Sequence, residues 1–553
     1  MSQTEWWRGA TIYQIYPRSF LDTNGDGVGD LPGITARLPY IASLGVDAIW
    51  LCPFFPSPQA DFGYDVSDYT AVDPRFGTLA DFDALLARAH ALGLKVLIDQ
   101  VWSHSSDRHP WFRESRSSRD NPRADWYVWA DPSPDGTPPN NWLSVFGGAA
   151  WAWEPRRRQY YLHHFLSQQP AFNLHNPAVM DALLEAGAFW LDRGVDGFRL
   201  DAVDFLLHDR ALRSNPASDW SGPVPAKLFA LQQHQHDMLQ PEAAGLLGRI
   251  RGLLDRYPGR AALGEISSQP GAFARVLACT SGQDRLHMAY TLSPLRGAFD
   301  WATVTALVEA QGEAQGEAGA EGWPCWSFSN HDVERAVSRW NPRRGSAPPD
   351  PAFARLLMAL LLSLRGSVCL YQGEELGLGE AILQEDELRD PFGIAYWPEF
   401  RGRDGSRTPM PWAQHATQAG FTTGTPWLPV CPDHRTRAVD VQETDPHSLL
   451  HWTRRFLAWR HGQPALRLGT LTPVALPAPL VGFVRRHEGA AVLCVFNLSD
   501  RAVALDPATL SGAAVLAGSG CEGPDAAGVL PPFGVLHATL PAMQPVAPLP
   551  LPA

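Results

Sequence analysis

The sequence has 553 residues, of which 45% are hydrophobic and 19% are charged, a composition typical of a globular protein with two or three domains. The net charge is -13 and no basic cluster is present, which argues against a nucleic-acid partner. The seven cysteines are scattered without a CxxC pair, and the sequence shows neither a signal peptide nor an apolar run long enough to cross a membrane. These features predict a cytoplasmic protein without a membrane partner, and they leave the oligomeric state open.

Short apolar runs of β type alternate along the chain with longer amphipathic helical patterns. Repetition of a strand followed by a helix predicts a parallel sheet with helices outside it. Eight such runs favour a closed (β/α)8 TIM barrel over an open sheet, and no GxGxxG follows the first run. The predicted barrel strands are 11–15, 48–52, 96–101, 197–203, 261–266, 286–291, 325–329 and 368–371.

Two regions depart from this alternation. Residues 103–173 are rich in Trp, Pro, Asn and Arg, and they predict a subdomain inserted after the third strand, over the C-terminal face of the barrel. The barrel itself would comprise 1–102 and 174–465, followed by a C-terminal all-β sandwich domain over 466–553 that ends in a Pro-rich tail. The Gly/Glu/Ala stretch 311–322 predicts a solvated loop.

Three carboxylates lie at or just after the carboxyl ends of predicted barrel strands, where enzymes of this architecture place their reacting groups. Arg199 and Asp201 lie two residues apart on one face of a strand, so the cation is expected to keep Asp201 ionised, as a nucleophile requires. Glu265 follows an apolar run, which favours a protonated general acid. Asp332 ends the segment FSNHD. A buried ion pair or a helix cap explains any one of them, but three together favour a catalytic site.

The sequence resembles the α-amylase superfamily of glycoside hydrolases (family 13), in particular its α-glucosidase and oligo-1,6-glucosidase branch. The motifs that carry the resemblance span nearly the whole chain: IYQIYPRSF, DQVWSH, the segments of Asp201, Glu265 and Asp332, and YQGEE. The resemblance implies a retaining mechanism in which Asp201 is the nucleophile that forms a β-glucosyl-enzyme and Glu265 is the general acid/base. The two carboxyl groups of a retaining enzyme lie ~5–5.5 Å apart.

The resemblance also implies how the terminal glucose is held. Asp332 would bind sugar hydroxyls and help to distort the ring, and Arg199 would orient Asp201. His104 and His331 would hydrogen-bond the same glucose.

The segment QADFGYD resembles the part of the family that closes the glucose pocket. Tyr64 would stack under the sugar, and Asp61, paired with Arg407, would bind the hydroxyls of the non-reducing end. A pocket blocked in this way acts on one terminal glucose. A loop turn at Asp61 and a core aromatic at Tyr64 are the alternatives. Phe146 and Phe165 lie in stretches similar to substrate-facing segments of the family, although core packing explains them nearly as well.

The loop DTNGDGVGD places oxygen-bearing side chains at every second residue, a spacing that suits a hard cation. Gly33 stands where an EF-hand has its bidentate Glu, so the loop is not an EF-hand. Related α-glucosidases hold Ca²⁺ in such a loop, and the resemblance implies a structural Ca²⁺ and no organic cofactor, with a plain Asp/Asn/Gly turn as the alternative. The implied ligands are Asp22, Asn24, Asp26, the Val28 carbonyl and Asp30.

Ala202, which follows the predicted nucleophile, is smaller than the Val of strict α-1,6 enzymes, and this favours α-1,4 bonds. The predicted function is that of an exo-acting α-glucosidase that hydrolyses short substrates such as maltose, maltooligosaccharides or sucrose. The alternative is an α-transglucosylase that passes the same glucosyl group to a sugar or alcohol acceptor. Both predict a small sugar as the partner.

Overall fold

The computed structural model describes residues 5–222, 225, 227–267, 270–316, 322–342, 350–509, 511–521 and 523–541. The Pro-rich tail beyond residue 541 and residues 317–321 of the Gly/Glu/Ala stretch lie outside the described residues. Within them the strands, in chain order, are β1 (Thr11–Ile15), β2 (Ala48–Leu51), β3 (Lys95–Gln100), β4 (Trp129–Ala130), β5 (Trp151–Glu154), β6 (Gln159–Leu162), β7 (Gly197–Leu200), β8 (Ala261–Ile266), β9 (Met288–Thr291), β10 (Cys325–Trp326), β11 (Ser367–Tyr371), β12 (Thr470–Val474), β13 (Leu480–His487), β14 (Ala490–Asn497), β15 (Val503–Ala504), β16 (Ala514–Val515), β17 (Val529–Leu530) and β18 (Val535–Thr539).

The α-helices of the same described residues fill most of the intervals between the barrel strands and continue beyond the last of them. They are α1 (Leu31–Ser43), α2 (Leu79–Ala91), α3 (Pro110–Ser115), α4 (Pro177–Asp192), α5 (Ala243–Leu254), α6 (Ala272–Thr280), α7 (Ser293–Arg296), α8 (Trp301–Gly316), α9 (Ala336–Arg339), α10 (Pro351–Ser363), α11 (Pro391–Tyr396), α12 (Pro432–Arg435), α13 (Val439–Thr444), α14 (Leu449–His461) and α15 (Pro464–Leu468).

Eight of the described strands form one parallel sheet in the order β10-β11-β1-β2-β3-β7-β8-β9. A parallel bridge between Ala289 and Pro324 joins the two ends of this order and closes the sheet. Side chains such as Ile12, Trp50 and Leu97 fill the interior, and a second, larger apolar layer lies between the strands and the helices. The predicted (β/α)8 barrel is confirmed.

Three of the predicted barrel strands are too long by two or more residues. β7 ends at Leu200 instead of residue 203, because Ala202 takes the left-handed backbone conformation (φ 46°, ψ 51°), which no strand can continue. β9 begins only at Met288, and β10 ends at Trp326. The turn at Ala202 bends the chain away from the sheet directly after Asp201, so this carboxylate stands at the rim of the barrel.

The segment between β3 and α4 contains a small antiparallel sheet in the order β4-β6-β5. Trp142 and Trp151 lie in the apolar cluster behind this sheet. An antiparallel bridge from His104 to Ala171 fastens the end of the segment to the chain that leaves β3, and a second bridge, from Tyr127 to Phe172, joins that end to the strand region before β4. The segment therefore covers the end of the barrel at which Asp201 stands, while its predicted limits, 103–173, stay a prediction.

The C-terminal region is all β, as predicted, with an antiparallel sheet in the order β12-β13-β14-β18-β16 and a separate pair, β15 and β17. The buried Arg485 of β13 ties this sheet to the barrel. Its guanidinium donates to the carbonyl oxygens of Ser363 and Leu364, at the end of α10, at 2.6 and 2.8 Å, and to those of Gly469 and Thr470 at 2.9 and 3.1 Å.

The prediction of a loop from residue 311 is wrong for 311–316, which form the last part of α8. Ala, Glu and Gln are strong helix formers, and they outweigh the two glycines of this stretch. Gln311 is buried, and its amide oxygen accepts from the Arg365 N–H at 3.2 Å. Gly312 is required by packing, because a Cβ atom there would lie 2.5 Å from Cδ of Pro473.

The seven cysteines are free thiols. Among the described residues, no helix combines the length and the apolar character needed to cross a membrane.

Replacing Arg485 by Met tests the connection between the barrel and the C-terminal sheet. Because R485M leaves the buried carbonyl oxygens of Ser363, Leu364 and Gly469 without this donor, we expect the free energy of unfolding to fall by about 3 kcal/mol. The matched control is R486M, since Arg486 is the next residue of β13 and its side chain is half-exposed. Equal urea midpoints for the two variants would contradict this account.

Candidate active site

A cavity of about 830 Å³ opens at the carboxyl ends of the barrel strands. Asp201 follows β7, Glu265 lies near the end of β8 and Asp332 follows β10, so the barrel brings all three predicted carboxylates to this cavity. The other predicted residues that line it are Asp61, Tyr64, His104, Phe146 and Phe165. The predicted residues that lie behind its wall, with at most 1% exposure, are Arg199, His331 and Arg407.

Arg199 holds the two predicted catalytic carboxylates in place. Its Nη1 donates to Asp201 Oδ1 at 2.7 Å and to Asp99 Oδ1 at 3.0 Å, and its Nη2 donates to Glu265 Oε2 and to the Tyr290 hydroxyl. The strand register produces this arrangement, because Asp99 and Arg199 are direct partners across β3 and β7, and Glu265 and Tyr290 across β8 and β9. Each carboxyl group keeps one oxygen that does not bind the guanidinium.

Burial dominates the electrostatics of both carboxyl groups. It raises the pKa of Glu265 to about 8 and that of Asp201 to about 7, although Arg199 acts in the opposite direction on each. Arg199 thus favours the ionised form of Asp201, as expected from the sequence, but burial has the larger effect. Burial thus brings the pKa of Glu265 close to neutral pH, as a general acid/base requires.

Asp332 is the carboxylate with the strongest positive surroundings. Its Oδ1 accepts from Arg403 Nη1 at 3.1 Å and from Arg407 Nη2 at 2.8 Å, and its Oδ2 lies 3.3 Å from His331 Nε2. Burial opposes ionisation, but His331 and the two arginines outweigh it and hold the pKa of Asp332 well below its usual range. With 22% of its side chain exposed, Asp332 presents a permanent negative charge to the cavity.

The predicted pairing of Asp61 with Arg407 is wrong. Asp61 Oδ1 accepts from Arg403 Nη2 at 2.7 Å, whereas Arg407 turns towards Asp332 and donates its Nε–H to the His331 carbonyl at 2.6 Å. Arg403 is itself fixed by Asp390, which accepts from Nη2 at 2.8 Å and from Nε at 3.0 Å. Asp61 pairs with Arg403 because both line the cavity, whereas Arg407 lies behind the cavity wall.

Tyr64 stacks on His331 with ring centroids 5.3 Å apart and an interplanar angle of 6°. The amide of Gln14 donates to His331 Nδ1 at 2.8 Å, so the imidazole proton resides on Nε2. That proton points to the Tyr64 oxygen at 2.6 Å, and the Tyr64 hydroxyl donates to Asp99 Oδ2 at 3.1 Å. His331 is therefore buried, and it contacts two residues that line the cavity, Tyr64 and Asp332.

The remaining predicted side chains form an aromatic wall. The Phe165 ring lies 5.1 Å from that of His104, and the Phe146 ring lies 4.6 Å from that of Phe392. His104 donates its Nε2–H to the Tyr64 carbonyl at 2.9 Å, and burial lowers its pKa to about 3, so it is neutral. These rings border the space above the carboxylates and offer faces for packing against a sugar.

The family model described as the alpha amylase catalytic domain matches residues 14–469. The chain belongs to the alpha-amylase family. A probable alpha-glucosidase of Rhizobium meliloti (strain 1021) is 56% identical over 503 residues, 90% of each chain. Oligo-1,6-glucosidase of Heyndrickxia coagulans is 37% identical over 537 residues, 91% of this chain and 94% of that one. The crystal structure of an alpha-glucosyl transfer enzyme, XgtA, has a TM-score of 0.91 and 55% identity, and the match covers 97% of this chain and 99% of that one.

Among the polar side chains of this alpha-amylase family member that the sequence did not predict, Arg403 and Gln169 line the cavity and Asp390 lies buried behind its wall. Arg403 and Asp390 form the ion pairs described above, and Gln169 donates to Asp61 Oδ2 at 3.1 Å. The segment RGRDGSRTPM contains three arginines, and sequence alone does not say which of them reaches Asp61.

In the loop 22–30, the Asp carboxylates accept hydrogen bonds mainly from backbone N–H groups of the loop and of the start of α1. Asp22 accepts from the N–H groups of Asn24, Gly25 and Gly27 at 2.8 to 2.9 Å and from the Thr422 hydroxyl at 2.5 Å. Asp26 accepts from the Val28 N–H at 2.8 Å. Asp30 caps α1 through the Gly33 N–H at 2.7 Å and also accepts from Thr23.

These contacts account for the shape of the loop without a cation, since Asp22 alone satisfies four donors. Within the described part of the chain, no group of three or more Asp, Glu, His or Cys side chains is arranged to hold a metal ion. Calcium binding by Asp22, Asn24, Asp26, the Val28 carbonyl and Asp30 stays a prediction.

Thermal melts in 1 mM CaCl2 and in excess EDTA test it. A bound ion would stabilise the folded state by RT ln(1 + [Ca²⁺]/Kd), about 2.7 kcal/mol at a hundredfold excess over Kd, and the gain would vanish in D26A. Identical melting temperatures under both conditions would mean that the loop is a plain turn.

Double-mutant cycles on kcat/KM test the corrected pairing of Asp61. Combining D61N with R403M should give a coupling energy of about 1–3 kcal/mol, and combining D61N with R407M should give less than about 0.5 kcal/mol. R401M is the control and should show no coupling to D61N, because Arg401 is exposed and stacks on Trp397 instead of lining the cavity.

A larger coupling of D61N to R407M than to R403M would refute the pairing.

Proposed function

We propose that the chain is an exo-acting retaining α-glucosidase that removes one terminal glucose from short α-glucosides through a covalent β-glucosyl-enzyme. The observation that carries the proposal is the single guanidinium of Arg199, which binds Asp201 and Glu265 side by side at the floor of a cavity. Two carboxyl groups close together suit a nucleophile and an acid/base, whereas an inverting enzyme needs room for a water between them.

In the first step, the Asp201 oxygen that does not bind Arg199 attacks the anomeric carbon. The bond from this carbon to the glycosidic oxygen breaks, and that oxygen takes the proton of Glu265 and leaves as an alcohol. In the second step, the Glu265 carboxylate takes a proton from water, whose oxygen attacks the anomeric carbon and releases Asp201. The sum is one α-glucoside and one water converted to α-glucose and an alcohol.

The ion pairs around Asp61 support exo action. Asp61 and Arg403 are 5% and 8% exposed, and Gln169 closes the contact from the other side. Charged and amide groups at the blind end of a pocket suit the hydroxyls of a non-reducing terminus. A longer oligosaccharide would have to extend past Phe229 and Gln232, in the segment after β7 that borders the outer cavity. This restriction supports a preference for disaccharides and other short substrates.

Ala202 supports a preference for α-1,4 over α-1,6 bonds, because its small side chain lines the cavity beside Asp201 and leaves space for the leaving group. The relatives of this chain include enzymes named for both activities.

The free thiols support a reducing compartment such as the cytoplasm.

A second candidate function is α-transglucosylation, supported by the 55% identity to a glucosyl transfer enzyme. The same glucosyl-enzyme would then be attacked by an acceptor hydroxyl instead of water. Product analysis at high maltose concentration separates the two: release of two glucose molecules per maltose consumed indicates hydrolysis, and accumulation of trisaccharide indicates transfer.

Trapping the intermediate tests the proposed function. With 5-fluoro-α-glucosyl fluoride, we expect a fluoroglucosyl adduct on the peptide that contains Asp201. The E265Q variant should still form it, because fluoride leaves without a proton, while losing about 10²–10⁴-fold in kcat on maltose. The D201N variant should form no adduct. An adduct on another residue, or undiminished activity of D201N, would refute the mechanism.

The two pKa values predict the pH dependence of kcat/KM. Activity should rise with pH as Asp201 loses its proton near pH 7 and fall as Glu265 loses its proton near pH 8. Asp332 is ionised throughout this range and adds no limb. With α-glucosyl fluoride as substrate, the alkaline limb should weaken, since this leaving group needs no acid. A flat profile from pH 6 to pH 9 would contradict the assignment.

A further inference from the structure

Lys227 is one of only two lysines in the sequence, and it lines the active-site cavity. The other, Lys95, is paired with Asp196 at 2.9 Å at the start of β3. Lys227 has a different environment. Its ammonium lies 3.7 Å from the centroids of both the Phe392 and the Phe400 ring. Within the described residues, no carboxylate lies within 4 Å of it.

The position of Lys227 is on the leaving-group side of the cavity. Exposure increases from the buried floor at Asp61 and Asp201 to the half-exposed Lys227 and the exposed Arg296. A glucose that fills the blind end at Asp61 directs its anomeric bond towards Glu265, and the group attached to it extends outwards past these two cations.

The carboxylates that act on the Lys227 ammonium from a distance are Asp390 and Asp332, and both are already paired with Arg403. Asp204 and Asp219 line the outer cavity. Asp204 is already satisfied by the Ser267 N–H and hydroxyl at 2.8 and 2.6 Å, with Arg275 at 3.9 Å. Asp219 is exposed and forms no ion pair with Lys227 within 4 Å. A half-buried ammonium with ring faces as its contacts is only partly compensated, and a ligand anion would compensate it fully. In accord with this, burial lowers the pKa of Lys227 to about 7.

We propose that Lys227 binds an anionic group, a carboxylate or a phosphate ester, carried by the leaving group of the glucoside or by the acceptor of a glucosyl transfer. Phe392 and Phe400 hold the ammonium in place on one side and leave the other side open to the cavity. The cavity thereby selects among glucosides at the leaving group, while Asp61 and Arg403 select the glucose. This inference rests on the proposed function and adds a substrate class to it.

The test compares two aryl α-glucosides that differ only in charge, 4-carboxyphenyl and 4-carbamoylphenyl α-glucoside. The readout is the ratio of their kcat/KM values, which cancels general effects of a substitution on folding or on the catalytic groups. We expect the ratio to fall about tenfold in K227M, the effect of losing one charge-assisted hydrogen bond, and to be largely retained in K227R. K95R should leave the ratio at its wild-type value.

A second arm distinguishes the two anions. It compares maltose with maltose that carries a phosphate on C6 of its reducing glucose, in the wild type and in K227M. A K227M effect confined to one arm identifies the carboxylate or the phosphate as the group recognised.

An unchanged ratio in K227M in both arms, with glucose still released from the neutral substrates, would overturn the inference and reduce Lys227 to a packing contact of Phe392 and Phe400. Failure to release glucose from any of the four substrates, by contrast, would count against the proposed function itself.

Discussion

The site depends on one buried cation. Arg199 has no exposed surface, and the ring of Trp50 lies 4.8 Å from its guanidinium carbon. A charge in that position is tolerable only because Asp99, Asp201 and Glu265 surround it, and the three carboxyl groups could not lie so close together without it. Removing any member leaves an uncompensated charge in the barrel. The same ion pairs therefore fix the catalytic geometry and stabilise the barrel interior.

A second charge network closes the blind end of the pocket. Arg403 and Arg407 stand between Asp61, Asp332 and Asp390, so two cations serve three carboxylates. In the first network, burial raises the pKa of the carboxyl groups, because a single arginine does not offset it. The second lowers the pKa of Asp390 to about 2 and holds that of Asp332 well below its usual range, because the arginines offset burial there, whereas burial still raises the pKa of Asp61. One barrel thus provides titratable groups for proton transfer and permanently charged groups for binding.

The sequence predicts the barrel and its three carboxylates because both depend on local patterns. Alternation along β7 places Arg199 and Asp201 on one face, and the carboxyl ends of parallel strands meet at one rim. The partner of Asp61 was mispredicted because it depends on how a loop more than 300 residues away folds. Gly312 misled the loop prediction for a related reason, since only its contact with Pro473 explains a glycine inside α8. Lys227 lies far along the chain from Phe392, in α11, and from Phe400, which follows this helix, and no local pattern marks their contact.

The central claim is that Asp201 and Glu265, held by one guanidinium, carry out two displacements at the same carbon. Each displacement inverts that carbon, so the first-formed sugar must have the configuration of the substrate. The direct measurement is a ¹H NMR time course of the anomeric signals during rapid hydrolysis of an aryl α-glucoside. This account predicts α-glucose at the earliest times, with the β anomer growing in only as mutarotation proceeds. β-Glucose as the first product would contradict it.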